Sequence, residues 1–332
     1  MNIRILLVIG TLIFFLCGCG FVTLKANGDT KYVLRLGHMQ GTEHPYHVGA
    51  LEFKKIVEKN SEGQIQVDLF PSSQLGNSRD LIEGLQFGSV HFYIGSVAPV
   101  TNFSEKFNVL SLPYIFDNRE HAFAVLDGEI GKELTTELEK NGLIHLAFME
   151  NGWRHLTNNK HPVKTADDTS NLKIRVQESP PYIAFINALG STPVPIPFGE
   201  LYTALEQKVI DGQENPLAQI SLNKFNEVQS YLTLTAHTYD ASIFLMSQKV
   251  YDKIPSELQE VIRSAAKEAA RVERDLAKKE EQKYLRILKE SGMQIEENPD
   301  IKSFKEVAKR VYKEFDEPVL QQLIKRIRET NY

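Results

Sequence analysis

The hydrophobic pattern after residue 30 alternates between the two-residue period of strands and the wider spacing of amphipathic helices. Residues 32–38 (YVLRLGH) alternate apolar and polar side chains, which predicts a strand. A helix follows over residues 45–60, with apolar side chains on one face. The predicted order continues as strand 65–70, a helix from Ser78 to a stop at Gly88, and strand 91–97. Because parallel strands need helical crossovers, this order predicts a helix-flanked sheet.

A second unit repeats the alternation of strands and helices. Strands are predicted at residues 172–177, 191–197, 231–239 and 242–248, with helices at residues 181–189 and 200–210. Asp211-Gly212 predicts a turn into a further short strand. The chain is therefore predicted to be an α/β protein built from two such units.

Residues 256–290 predict one long helix, because they contain no Gly or Pro and repeat apolar residues at a 3-4 spacing. At 1.5 Å per residue this helix is roughly 50 Å long, which exceeds the width of one small domain. We therefore expect it to underlie both units. Another helix is predicted near the C-terminus, marked by Phe304, Ala308, Val311 and Phe315.

The N-terminus has the pattern of an export signal. Arg4 precedes about a dozen apolar residues, whereas a membrane-spanning helix needs about 20. The sequence LCGC at residues 16–19 resembles a bacterial lipobox, which predicts a signal peptide over residues 1–18 and acylation of Cys19. Cys17 is unusual at its position, so cleavage by ordinary signal peptidase and an uncut anchor remain alternatives. In each case the folded part is extracytoplasmic, either lipid-anchored at the outer face of the cell membrane or periplasmic.

Length and composition exclude several classes of protein. The length of 332 residues favours two domains. With 38 basic and 43 acidic residues the net charge is −5, which argues against a nucleic-acid partner. Two cysteines form neither a disulfide framework nor a four-thiolate zinc site.

The sequence contains no recognised catalytic motif such as a nucleophile elbow, a Walker A loop or a zinc-protease signature. His44 and His47 are three residues apart, but no acidic or Cys ligand accompanies them, so a helix-entry turn is favoured over a metal site. Asp167 and Asp168 resemble helix-capping residues more than an acid/base pair with Glu178. No catalytic residue, metal or cofactor is therefore predicted.

Arg175 is the most informative charged residue. In LKIRVQ (172–177) it shares the polar face of the predicted strand with Lys173 and Gln177, close to the strand's carboxyl end. A guanidinium there can bind a carboxylate with two hydrogen bonds, and the following helix N-terminus adds a favourable dipole. The alternative is an ordinary surface or salt-bridged arginine.

Three further residues are candidates for the same site. Asn215 precedes Pro216, which is typical of a helix N-cap, and capping is compatible with ligand contact. Arg154 is predicted to follow a strand and to provide a second cation. Phe198 is either a helix-entry residue or a flat apolar wall for a ligand.

Several segments together resemble the DctP-type solute receptors of TRAP transporters, over nearly all of the chain after the leader. The segments are PSSQLGNSRDLIEGLQFGSV (71–90), LPYIFDNREHAFAVLDG (112–128), NGWRHLTN (151–158), NLKIRVQESP (171–180), PIPFGELYTALEQKVIDGQENP (195–216) and KFNEVQSYLTLTAH (224–237). The resemblance implies a two-lobed periplasmic-binding-protein-like fold of mixed sheets flanked by helices, with a long helix spanning both lobes. Lobe I would comprise residues 29–152 plus about 241–280, and lobe II residues 153–240 plus about 281–332.

The resemblance also implies roles for individual residues. Arg175 would bind the ligand carboxylate together with Asn215, with Phe198 as the aromatic wall and Arg154 as a second cation. Glu214 and His237 would orient Arg175. Further residues expected around the ligand or behind its contacts are His38, Met39, Ser78, Ser96, Gln177 and Glu178.

The segments NGWR and RVQESPP are more similar to those of sugar-acid receptors of the glucuronate and galacturonate type than to those of C4-dicarboxylate receptors. A polar first-lobe lining of His38, Glu43, Ser78 and Ser96 suits several hydroxyl groups. The expected partners are the small and large TRAP membrane subunits, and the chain is expected to be monomeric. A C4-dicarboxylate or keto-acid receptor, a secreted uronate-acting enzyme, and an ABC-type or sensor-associated binding protein remain alternatives.

Overall fold

The computed structural model describes residues 30–332, in which strands and helices alternate along most of the chain. The strands are β1 (Tyr32–Gly37), β2 (Ile65–Phe70), β3 (Phe92–Ser96), β4 (Leu143–Asn158), β5 (Lys173–Val176), β6 (Thr192–Pro195), β7 (Gly212–Pro216), β8 (Tyr231–Ser247) and β9 (Gln294–Glu296). The helices are α1 (Pro45–Asn60), α2 (Ser78–Phe87), α3 (Arg119–Asp127), α4 (Glu129–Glu139), α5 (Pro180–Ala188), α6 (Leu201–Glu206), α7 (Leu217–Leu222), α8 (Gln248–Tyr251), α9 (Ser256–Glu290), α10 (Ile301–Val311) and α11 (Pro318–Arg328).

The described strands form one mixed sheet in the order β2-β1-β3-β8-β4-β7-β5-β6, with β9 paired to β8. Strands β1, β2 and β3 are parallel to each other, as are β5, β6 and β7. The antiparallel pair β4 and β8 joins these two parallel groups. The α/β class and the mixed, helix-flanked sheet predicted from the sequence are therefore confirmed.

Strand β8 is continuous over 17 residues, so the prediction of two separate strands at 231–239 and 242–248 is wrong. The gap between the two predicted strands contains Asp240, which is fully buried in the continuous strand. Its carboxylate accepts side-chain hydrogen bonds from Ser96 and Asn151, so the strand continues through it. A buried charge is tolerated inside a strand when such partners compensate its desolvation.

The register of the β4–β8 pair shifts three times, near residues 145–147, 150–152 and 154–156. Such bulges bend a strand and increase its twist. Gly152 lies between them with φ of 113°, a conformation that L residues rarely adopt. Arg154 lies inside β4, so the prediction that it follows a strand is wrong.

The 35-residue helix α9 confirms the long helix predicted from the sequence. Its N-terminal half packs into one hydrophobic cluster through Ile262 and Ala269, together with Phe53 of α1. Its C-terminal half packs into another cluster through Tyr284 and Leu288. One helix therefore packs into both hydrophobic clusters, as its predicted length indicated.

Several local predictions need correction. Asn215 lies in β7 and α7 begins at Leu217, so Asn215 is not a helix N-cap. Helix α2 is capped by the side chain of Asn77, whose oxygen accepts the backbone N–H groups of Arg79 and Asp80. Helix α11 did not stand out in the sequence as a separate element.

The leader predictions for residues 1–18 and Cys19 lie outside the described residues. Within residues 30–332, no helix has both the length and the apolar character needed to cross a membrane.

Candidate ligand-binding site

Arg175 is a buried cation whose hydrogen-bonding groups are only partly used. Its side chain lies on β5 and is 2% exposed. Nε donates to the carbonyl oxygen of Ile196 at 2.8 Å, whereas Nη1 is buried without a partner among residues 30–332. Desolvation lowers the pKa of Arg175 to about 10, despite the nearby charge of Glu214. A buried guanidinium in this state is stabilised by an incoming anion.

Two side chains that the sequence analysis assigned to the site lie close to the two buried arginines. The guanidinium carbon of Arg175 is 6.0 Å from the centroid of the Phe198 ring, a cation–π distance. Asn215 is 2% exposed, and its Oδ1 accepts a hydrogen bond from Nη2 of Arg154 at 3.1 Å. Its Nδ2 donates one hydrogen to Gln213, and an amide nitrogen carries two. One N–H of Asn215 is therefore left for another acceptor.

Arg154 is the second buried arginine, and the protein itself neutralises its charge. Its guanidinium binds the Glu214 carboxylate through Nε and Nη2, and Nη1 donates to Oδ2 of Asp240 at 2.6 Å. Burial lowers the pKa of Arg154, but the carboxylates of Glu214 and Asp240 raise it well above its ordinary value. The two arginines therefore differ: within residues 30–332, Arg154 is paired with two carboxylates and Arg175 with none.

Glu214 and His237, which were expected to orient Arg175, make their direct contacts with Arg154 and with each other. Glu214 binds Arg154, and Nε2 of His237 lies 3.4 Å from Oε2 of Glu214. Burial raises the pKa of Glu214, but Arg154 and His237 outweigh it, so the net pKa lies below the ordinary value. Burial lowers the pKa of His237, which keeps its imidazole neutral at pH 7. This pair therefore holds Arg154 in place.

Asp240, which the sequence analysis missed, is a centre of hydrogen bonding at the site. The residue is fully buried in β8. Oδ1 accepts the Ser96 hydroxyl at 2.6 Å, and Oδ2 accepts Asn151 Nδ2 at 2.7 Å as well as Arg154. Burial raises the pKa of Asp240, which the Arg154 charge partly opposes. The signal in the sequence was one acidic residue inside the apolar run YDASIFLM (239–246).

Of the residues predicted from the first lobe, His38, Met39 and Ser96 are buried, Ser78 is half-buried and Glu43 is exposed. Among these five, only Ser96 contacts the arginine–carboxylate cluster directly. His38 is fully buried, with Nε2 at 3.1 Å from Nδ1 of His47 and Nδ1 without a partner among the described residues. Ser78 donates to the Met39 sulfur at 3.5 Å. Burial lowers the pKa of His38 to about 3, so its ring is neutral at pH 7.

Gln177 and Glu178, expected around the ligand or behind its contacts, lie in different surroundings. Nε2 of Gln177 lies 3.3 Å from the Ser96 hydroxyl and 3.4 Å from Oδ2 of Asp240. Glu178 is exposed, and its backbone carbonyl oxygen accepts a hydrogen bond from Asn102 at 2.8 Å. Gln177 therefore belongs to the hydrogen-bond network of Asp240. Glu178 does not join this network, because its hydrogen bond among the described residues is made by its backbone carbonyl.

The strands explain why these residues meet. Ser96 ends β3, Arg175 and Gln177 come from the carboxyl end of β5, and Arg154 and Asp240 lie in the bulged part of the β4–β8 pair. Carboxyl ends of parallel strands on both sides thus converge on the strands that join them, a common place for ligand sites in α/β proteins. The chemistry assembled there suits recognition of an anion, because the Arg175 guanidinium has no carboxylate within 4.0 Å in the described part of the chain.

Comparison with known proteins identifies the class. Residues 36–318 match the family model for DctP, bacterial extracellular solute-binding protein family 7. The chain belongs to this family. DctP-family proteins are extracytoplasmic receptors that bind small organic acids and work with TRAP membrane subunits. The family and its solved members are receptors rather than enzymes, which sets aside the alternative of a secreted enzyme.

Relatives of this DctP-family chain bind different acids. The 2,3-diketo-L-gulonate-binding periplasmic protein YiaO of Escherichia coli K12 is 34% identical over 285 residues, covering 86% of this chain and 87% of YiaO. A TRAP periplasmic solute-binding protein from Polaromonas sp. JS666, solved with D-erythronate, is 35% identical with a TM-score of 0.88, covering 91% of this chain and 99% of that one. A counterpart from Sulfurospirillum deleyianum, solved with succinate, is 31% identical with a TM-score of 0.88, covering 91% and 100%. These two-lobed neighbours confirm the predicted fold class.

Proposed function

We propose that this receptor captures a sugar acid, of the glucuronate and galacturonate type or a related aldonate, and delivers it to the TRAP membrane subunits. The observation that carries the proposal is the buried guanidinium of Arg175, which has no carboxylate partner within 4.0 Å among residues 30–332. A ligand carboxylate supplies the missing negative charge and accepts the unused N–H groups. Asn215 is proposed to contribute its remaining amide N–H to the same carboxylate.

The choice of a sugar acid rests on the polar side chains around the arginine and on two relatives. Ser96, Gln177 and Asp240 place several hydrogen-bonding groups beside the cluster, which suits a ligand with hydroxyl groups. The Escherichia coli relative is named for a keto sugar acid and the Polaromonas relative holds a four-carbon sugar acid. The alternative is a C4-dicarboxylate, which the succinate-bound Sulfurospirillum relative supports.

Binding is proposed to be coupled to closure of the cleft between the lobes. The proposed lobes are residues 29–152 plus about 241–280 and residues 153–240 plus about 281–332. The bulges in β4 and β8 and the positive φ of Gly152 support a hinge at the boundary. A closed and empty cleft leaves the Arg175 charge desolvated without a partner, which costs several kcal/mol. A bound carboxylate removes this penalty, so the ligand shifts the population towards the closed form.

A thermal-shift screen over organic acids tests the proposed substrate class. The acids are D-glucuronate, D-galacturonate, D-galactonate, D-erythronate and 2,3-diketo-L-gulonate, with succinate and L-malate as alternatives and D-galactose as the uncharged control. At a ligand concentration of 100 Kd, binding stabilises the folded protein by about 2.7 kcal/mol, which raises Tm by several degrees. We expect such a shift from at least one sugar acid and none from galactose. A shift from succinate or malate alone overturns the sugar-acid proposal and leaves the receptor function standing.

The leader is proposed to anchor the receptor through an acylated Cys19, with signal peptide 1–18 removed. The support is the lipobox-like sequence at residues 16–19 and the extracytoplasmic location of the family.

A further inference from the structure

We infer that Asp240 is a specificity-determining residue, which admits ligands with one carboxylate and neighbouring hydroxyl groups and rejects dicarboxylates. This inference deepens the proposed function and rests on it, because it assumes that Arg175 receives the single ligand carboxylate.

The charges of the buried cluster limit the number of ligand carboxylates that it can bind. Arg154, Arg175, Glu214 and Asp240 are each at most 2% exposed, and together they contribute two positive and two negative charges. His237 is neutral because burial lowers its pKa. One incoming carboxylate finds a cation in Arg175. A second carboxylate finds none within the cluster, since Arg154 is already bound to Glu214 and Asp240.

The hydrogen bonds around Asp240 favour its ionised form, against the effect of burial. Four groups donate to its two oxygens: the Ser96 hydroxyl, Nδ2 of Asn151, Nη1 of Arg154 and Nε2 of Gln177. Hydrogen bonds donated to a carboxylate favour its charged form, and the direct contact with the Arg154 guanidinium acts in the same direction. A ligand carboxylate brought against Asp240 therefore meets a fixed negative charge.

The unused bonding capacity of Asp240 accounts for acceptance of hydroxyl groups. Oδ1 accepts one hydrogen bond, from Ser96, and a carboxylate oxygen accepts two. A ligand hydroxyl donates to the remaining position, which a second ligand carboxylate cannot do. The charge of Asp240 also acts on Arg175, as it does on Arg154, so the residue lies within the electrostatic reach of the proposed carboxylate position.

Matched pairs of acids test this inference by isothermal titration calorimetry at pH 7.5. D-galactonate and galactarate share the carbon chain and its inner hydroxyl groups and differ in one terminal carboxylate. D-erythronate and meso-tartrate form the equivalent four-carbon pair. Because like charges in contact at a buried site cost several kcal/mol, we expect wild-type protein to bind the monocarboxylate at least about a hundredfold more tightly in the pair that binds.

Asp240→Asn preserves the size of the side chain and removes its charge. We expect this variant to reduce the preference for the monocarboxylate at least about tenfold, mainly through tighter binding of the dicarboxylate. The matched control is Asp316→Asn, since Asp316 is an exposed aspartate between α10 and α11, and it should keep the wild-type ratio. An unchanged ratio in folded Asp240→Asn overturns the inference.

The wild-type measurement keeps the inference testable if Asp240→Asn does not fold. Equal affinity of wild-type protein for both members of a pair overturns the role of Asp240. If Arg175→Met then no longer binds these acids, the proposed carboxylate contact of Arg175 is still supported. Binding that survives intact in Arg175→Met overturns the proposed function instead. Absence of binding by all four acids overturns the inference for these ligand classes, and the wider acid screen then decides the proposed function separately.

Discussion

Replacing Arg175 with Met tests two effects of its charge. We expect the charge to strengthen ligand binding and to lower the stability of the unliganded protein. Met preserves much of the length and apolar character of the stem and removes the guanidinium. In the liganded protein this change deletes the proposed carboxylate contact. In the unliganded protein it deletes a buried charge that lacks a counter-ion among residues 30–332. We therefore expect Arg175→Met to lose ligand binding and to unfold at a higher temperature than unliganded wild-type protein.

The structure gives the size of both effects. Two charge-assisted hydrogen bonds contribute about 1.5–3 kcal/mol each, so their loss weakens binding by a factor of about 10² to 10⁴. The pKa of Arg175 is lowered to about 10 by desolvation, which corresponds to about 3 kcal/mol of destabilisation at pH 7, where the group is charged. Loss of the hydrogen bond to Ile196 offsets about 1–2 kcal/mol of that. The net expectation is a gain of about 1–2 kcal/mol in the free energy of unfolding.

Thermal unfolding with and without ligand measures both quantities in one experiment. A gain of this size raises Tm by a few degrees, and the ligand-dependent shift should disappear. The matched control is Arg271→Met, which removes an exposed arginine paired with Glu268 on α9 and should alter neither quantity appreciably. Lower stability of unliganded Arg175→Met, together with unchanged ligand affinity, would refute the assignment of Arg175 as an unpaired binding cation.

Two further predictions concern the core of α9 and the leader. Glu273 is fully buried, and its Oε2 accepts the backbone N–H of Glu150 at 2.9 Å. Its Oε1 has no partner among the described residues. Burial raises the pKa of Glu273 well above the ordinary value. The folded protein therefore keeps a proton that the unfolded chain releases above its ordinary pKa of about 4.3, so the contribution of Glu273 to stability falls as pH rises, by up to about 1.4 kcal/mol per pH unit. Urea unfolding at pH 5 and pH 8 should show that Glu273→Gln is stabilising mainly at pH 8; an equal effect at both pH values would contradict this. For the leader, mass spectrometry of membrane fractions should find a mature chain beginning at acylated Cys19, and a chain beginning elsewhere rejects the lipid anchor.

Local pattern was sufficient for most of the fold. The apolar spacing in residues 256–290 predicted α9 with its observed bounds, because a helix this long depends on regular packing along one face. The pattern failed at β8, where Asp240 interrupts an apolar run. Its compensating partner Ser96 lies 144 residues away in the sequence, so no local signal indicated that the strand continues.

The candidate site likewise combines residues that local pattern indicated with contacts between residues that are distant in the sequence. Arg175 stood out in the sequence, because the alternation of LKIRVQ places it on a polar face near the end of a strand. The carboxylate partners of Arg154 could not be recognised from the sequence, because Glu214 and Asp240 lie 60 and 86 residues further along the chain. The sequence by itself determined the strand and helix order, the family resemblance and the candidate cation. Only the tertiary structure decided which of the two arginines is neutralised, because that depends on strand pairing and burial. Within the described residues these bring two distant carboxylates to Arg154 and none to Arg175.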